Sequence, residues 1–316
     1  MAAHADWSVD PRKRWVTVAR RTGAGWQAGA PRPVGDPAAL AAALLRDGAA
    51  VALGLDLPLG LPRAYAAGLT EPDFPAFLRA SPARPRFWSV AATLAEVSRE
   101  APFYPRRGLR GMTRASHAEA LGFTGPAELC RLCDRATAER PAGAPLFWTL
   151  GANQTGKAAI SAWRDWLAPA LAVGAPFHLW PFAGSLHASL APGRAVLAEV
   201  YPAEAMRHAG VRLAGSKRSR AVRLRAAPSL HEAMARLRVL PDPALLAAVA
   251  DGFGPDAAGE DRLDSVLGLL GLVGVLDGMR PDFIPDDPWV RRWEGWVLGQ
   301  TCLPAASGER GQPAGR

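Results

Sequence analysis

Cysteine is scarce in this chain, with three in 316 residues, which excludes a disulfide framework and points to a reducing compartment. Cys130 and Cys133 form a C-x-x-C, but no second pair and no nearby histidine completes a zinc site. Two thiols on a short helical segment are the expectation there. Lysine is nearly absent, at Lys13, Lys157 and Lys217 only, against heavy use of alanine and arginine. GC-rich coding produces that bias without any functional demand.

Long apolar runs are missing as well. The longest, 266–276, is far too short to cross a bilayer. Asp6, Asp10 and a Pro-Arg-Lys-Arg run interrupt the N-terminal segment, which therefore lacks the apolar centre of a signal peptide. A cytoplasmic protein without membrane association is expected. His4, His117, His178, His187, His208 and His231 show no metal-ligand spacing, and no G-x-S-x-G elbow supports a serine hydrolase.

What remains is ordinary globular composition, 49% apolar and 21% charged, with a formal charge of +8 and a pI near 10.2. A field of that sign attracts polyanions, nucleic acid among them.

The opening reads as a β-hairpin: a strand ending within 5–8, a turn at 10–13, then alternation over 15–20 and a third strand near Trp26. A helix follows over 38–46, stopped by Gly48. Residues 49–56, AAVALGLD, form a continuous apolar run that suits a strand buried on both faces. The region from 63 to about 190 is read as a large helical and loop insertion, with helical patches at 91–99, 127–140 and 157–171. A second apolar strand spans 194–201, helical patterns follow at 230–238 and 243–250, and an apolar helix covers 261–279. Residues 1–304 are expected to form one elaborated domain, and 305–316 a disordered polar tail.

Carboxylates stand at the ends of these elements. Asp6 closes the first strand and Asp56 the buried one, immediately before a Pro/Gly break. Glu199 lies on the second apolar strand and Glu204 just past its Pro202 stop. Asp261 and Asp264, three apart, share a face of the last helix. Each has a plain alternative: Asp56 as a turn residue, Asp261 as a helix N-terminal acid, Glu199 as an outward strand residue. Together, clustered carboxylates repel unless protons or a cation neutralise them. Hard oxygen donors of this kind suit Mg²⁺ or Mn²⁺, and two such ions can drive phosphodiester cleavage.

The order of these parts resembles the RNase H-like superfamily, and the final Asp-x-x-Asp is similar to that of its Holliday-junction resolvases. More closely, the chain resembles the bacterial domain-of-unknown-function family 429 of predicted RNase H-fold nucleases. The segments that carry the likeness are DWSVDPRKRWV at 6–16, LDLPLGLP at 55–62, EVYPAEA at 199–205, GSK at 215–217, EDRLDSVLGLL at 260–270 and EGWVLGQ at 294–300. The resemblance implies an α/β, RNase H-like mixed sheet that starts as an antiparallel hairpin and continues with parallel strands between helices. It implies an acidic centre of Asp6, Asp56, Glu204 and Asp264, a metal shell to which Asp261 and Glu199 contribute, and phosphate contacts from Lys217 and Arg218. The Tyr-Pro-x-Glu pattern puts Glu204, not Glu199, at the family's acidic position. The nuclease label rests on fold, so the alternative is a non-catalytic nucleic-acid or nucleotide-binding module on the same scaffold.

Two further signals compete. GANQTGKA at 151–158 has P-loop spacing, but Ala158 stands where a Mg²⁺-binding hydroxyl belongs, which leaves Lys157 as a possible substrate contact. Trp163, Trp166, Trp289, Trp293 and Trp296 recur at helical spacing and are expected in the core, whereas Arg106, Arg107, Arg110 and Arg114 are expected on an exposed loop.

Overall fold

Small and branched apolar residues alternate with little interruption at the N-terminus, and they pair as a meander. Strands β1 (Ala2–Asp6), β2 (Trp15–Thr22) and β3 (Gly25–Ala28) run antiparallel in turn, and the two-residue β4 (Arg32–Pro33) also pairs with β2. Asp10 accepts a hydrogen bond from the Arg12 N–H and starts the turn that joins β1 to β2. β5 (Val51–Leu55) then lies parallel to β1, β7 (Ala195–Glu199) parallel to β5, and β6 (Phe177–Leu179) parallel to β7. β8 (Val239–Pro241) adds in parallel beyond β3. The result is one eight-stranded mixed sheet, in the order β6-β7-β5-β1-β2-β3-β8. The structure, a computed structural model, describes residues 1–108, 110–150 and 155–305.

Side chains alternate across the sheet with a period of two, so each strand feeds two cores. Ala3, Ala5, Val51, Leu53, Leu55 and Leu197 join one apolar cluster with the helix Pro37–Leu45 and most of the region after Asp56. Ala2, Ala52, Val196, Ala198 and Val200 join the other, beneath the helix Gly259–Leu276. That helix comes very close to β1. A Cβ on Gly268 would lie 2.1 Å from the imidazole of buried His4, so only glycine lets the helix settle there. Thr17 on β2 shares a 2.7 Å hydrogen bond with Ser265 and fixes the helix along its length.

The mixed α/β sheet flanked by helices agrees with the sequence reading, as do the paired hairpin and the helices near 38–46 and 261–279. Two expectations fail. Residues 91–99 and 127–140 are not helical but carry short 3-10 turns, Leu94–Glu96, Pro126–Leu129 and Leu132–Asp134. A bridge between Val90 and Phe103 holds the first stretch extended, and the burial of Arg131 against Asp134 bends the second. The helix expected at 157–171 runs from Thr155 to Ala172 with a π turn at Trp163–Leu167. Trp163, Trp166, Trp293 and Trp296 are buried as expected, Trp289 is half-buried, and Arg106, Arg107, Arg110 and Arg114 are exposed. No helix among the described residues is long and apolar enough to cross a membrane. The loop part of GANQTGKA, residues 151–154, and residues 306–316 of the expected tail lie outside the described residues.

Candidate functional site

Strand register brings the first two carboxylates together. β1 and β5 run parallel with Ala5 opposite Leu55, and the Asp56 N–H donates to the Ala5 carbonyl at 3.1 Å, so Asp6 and Asp56 end neighbouring strands side by side. Both have the parity of His4 and Ala52, whose side chains face the last helix. Asp264 sits on that helix beside Ser265, at the point where it meets β2, and Asp261 is one turn before it. Asp6 and Asp264 are buried and Asp56 is half-buried.

These groups line one cleft of about 1060 Å³. Its floor holds Asp6, Asp56, Asp261 and Asp264, and Glu204 and Glu260 also face it. Lys13 from the hairpin turn, Arg207 from the helix Pro202–His208 and Arg218 are exposed at its lips, while half-buried Lys217 and buried Arg140 line it further in. An acidic floor inside a basic rim admits an anionic substrate that carries its charge away from the floor.

The floor holds protons strongly. Burial, followed by the charges of Asp56, Asp264 and Asp261, pushes the Asp6 carboxyl well above its ordinary range. Asp56 is raised to about 7 by burial and by Asp264, against the opposing charge of Lys217. The contact between the two side chains raises the Asp6 carboxyl further and works against the rise at Asp56. Burial also lifts Asp264 to about 6, with Lys217 opposing, and lifts Asp261 to about 6 with help from Glu260.

Lys217 is directed inward rather than to solvent. Its Nζ donates to both oxygens of Asp264, at 2.7 and 2.6 Å. Arg218 remains exposed on the lip and pairs weakly with Glu260 at 3.4 Å. Glu204 is buried, with its Oε1 2.9 Å from Arg140 Nε, although the pair is not aligned as a hydrogen bond. Burial raises the Glu204 carboxyl and Arg140 works against that rise.

Glu199 does not join the floor. It shares the parity of Leu197 and so projects from the opposite face of the sheet. There it accepts two hydrogen bonds from Arg131, at 2.6 and 2.7 Å, and one from the Leu59 N–H at 2.8 Å. Its oxygens are committed to that contact. Lys157 does not line the cleft either, although its neighbours Thr155 and Ala158 do. Lys13, Arg140 and Arg207 escaped the sequence reading. The spacing of Glu204 and Arg207, three apart in one short helix, was the available sign for the last of them.

Oxygen donors alone, buried and short of positive charge, fit a hard divalent cation in chemistry. In arrangement one place is taken, because Lys217 occupies Asp264. Among the described residues no group of three or more His, Cys, Asp or Glu side chains is placed as a ready-made metal cage. Compared with protein-family models, with curated proteins and with solved structures, the chain matches none.

Proposed function

We propose that the chain is a divalent-metal-dependent phosphodiesterase acting on nucleic acid, with Asp6, Asp56 and Asp264 as the carboxylates that hold Mg²⁺ or Mn²⁺. The observation that carries this reading is the convergence of these three side chains, from two strand ends and one helix, on the floor of a cleft with basic lips. The strand order β3-β2-β1-β5-β7, with β2 antiparallel to the rest, supports an RNase H-like classification. Bound there, a divalent cation supplies an acidified water and neutralises charge on a phosphate.

The chain's own groups have distinct parts. Lys13, Arg207 and Arg218 draw a polyanion to the cleft mouth, in the sense set by the net charge of +8. Asp6 and Asp56, fixed by the register of β1 and β5, bind and orient from the floor. Asp261 adds its charge to the floor one turn before Asp264, and Glu204 stands beside it, paired with Arg140. Glu199 acts at a distance, by fixing the loop that carries Leu59 just beyond Asp56.

The test is cleavage of labelled single- and double-stranded DNA and RNA with Mn²⁺, Mg²⁺ or EDTA, comparing wild type with Asp56→Asn. Metal-dependent cutting that falls roughly a thousandfold or more in the variant is the expected result. The bidentate contact of Lys217 with Asp264 favours a second reading, a binding module whose acids are already neutralised. Nucleic-acid binding without cutting, unchanged in Asp56→Asn, would establish that one instead.

A further inference from the structure

Among the described residues, every ion pair but one uses arginine; the exception is Lys217 with Asp264. In a chain with three lysines, an ammonium has been placed at the one carboxylate that completes the floor. The difference matters physically. A guanidinium forks onto a carboxylate in a fixed plane, whereas an ammonium is a compact point charge on a flexible four-carbon stem.

The backbone under Lys217 is pinned, and its side chain is held only at the ammonium. Arg223, itself buried, donates to the Lys217 carbonyl at 2.6 Å and to the Arg218 carbonyl at 3.0 Å. It also reaches the carbonyls of Gly252 and Gly254, both at 2.7 Å, which ties the segment to the turn before the last helix. The Lys217 stem then crosses the cleft wall to Asp264 with its side chain still 24% exposed, so the ammonium can leave without moving the loop. Its two contacts, at 2.6 and 2.7 Å, cover both oxygens that a cation would use.

We propose that Lys217 is a built-in counter-ion that competes with a divalent cation for Asp264 and, once displaced, is free to meet the anionic group of the substrate. This rests on the metal-dependent reading above. It makes Lys217 a positioning residue that sets the cation affinity of the floor, so that metal and phosphate are accepted together.

The experiment measures Mn²⁺ alone binding to the full chain, by the free-Mn²⁺ signal in electron paramagnetic resonance, for wild type, Lys217→Met and Lys217→Arg. Methionine keeps the stem and removes the charge, and binding should tighten roughly tenfold or more, since a positive charge a few ångströms away is lost. Nucleic-acid cleavage by the same variant should fall, so the two readouts move in opposite directions. Arginine, forked onto Asp264, should weaken Mn²⁺ binding, and this variant decides the matter if Lys217→Met does not fold. Equal Mn²⁺ affinity across the folded variants would overturn the counter-ion role and leave the metal reading standing. No Mn²⁺ binding by any of them would overturn both.

Discussion

Arg131 meets Glu199 end-on, Nη1 to Oε2 at 2.6 Å and Nη2 to Oε1 at 2.7 Å, with both side chains fully buried. Arg131 also binds Asp134, through Nη2 to Oδ1 at 2.9 Å, so one cation serves two acids, neither of which lines the cleft. Removing one partner of such a pair leaves an uncompensated charge in the interior. Glu199→Ala should therefore cost about 3–5 kcal/mol in urea denaturation. The milder Glu199→Gln, assayed per folded molecule, should match the wild type in the proposed metal-dependent cleavage. Loss of cleavage at full stability would instead return Glu199 to the site.

Stability should depend on pH through the floor carboxyls. Asp56 titrates at about 7 in the folded chain against an ordinary 3.8, and Asp264 and Asp261 at about 6. A raised folded value means the native state holds the proton more tightly than the unfolded chain does. The stabilisation is complete below about pH 3.8 and is lost as pH rises through 6 to 7. Asp56→Asn removes one of these titrations, so its advantage over wild type should grow between pH 5 and pH 8, by on the order of 1–3 kcal/mol. Denaturant midpoints at the two pH values measure it.

A cation can take the place of those protons. Mn²⁺ should raise the melting temperature of the wild type more at pH 8 than at pH 5, and EDTA should reverse the gain. Asp6→Asn with Asp56→Asn should abolish the effect. Equal shifts at both pH values would point to metal bound elsewhere.

The approach of the last helix to β1 depends on Gly268, where a Cβ would fall 2.1 to 2.2 Å from the His4 ring atoms. Gly268→Ala should cost roughly 1–3 kcal/mol or more through overpacking. His4→Ala in the same chain should recover part of that loss, a coupling that a double-mutant cycle reads directly. Because the same approach sets the helix that carries Asp264 into the cleft beside β1, the proposed cleavage should fall with Gly268→Ala even where the protein remains folded.

Trp7 lines the cleft, yet both of its faces are covered. Trp166 stacks on one at 5.5 Å between ring centres, and Arg14 lies over the ring at 4.3 Å. A base therefore has no free indole face there. Trp7→Phe should leave affinity for single-stranded oligonucleotides within about twofold, whereas a stacking platform would lose about 1–3 kcal/mol per base. Fluorescence anisotropy separates the two.

Local pattern determined much of this protein. Alternation over 15–20, the apolar run at 49–56 and the acid-led apolar stretch at 261–279 identified the hairpin, the central strand and the long helix. Asp6, Asp56 and Asp264 stood out because each sits where regular structure ends or begins. Pattern failed where long-range contacts overrule propensity: at 127–140, which Arg131 bends, and at the three-residue strands β6 and β8, too short to carry a period. Only tertiary structure decided which acids share a site. Strand register and a period of two put Asp6 and Asp56 on the helix face and turned Glu199, adjacent to Leu55 across the ladder, to the other. The destination of Lys217 was likewise invisible in a basic loop, because its partner Asp264 lies 47 residues further along the chain and is brought within reach only when the last helix docks on the sheet.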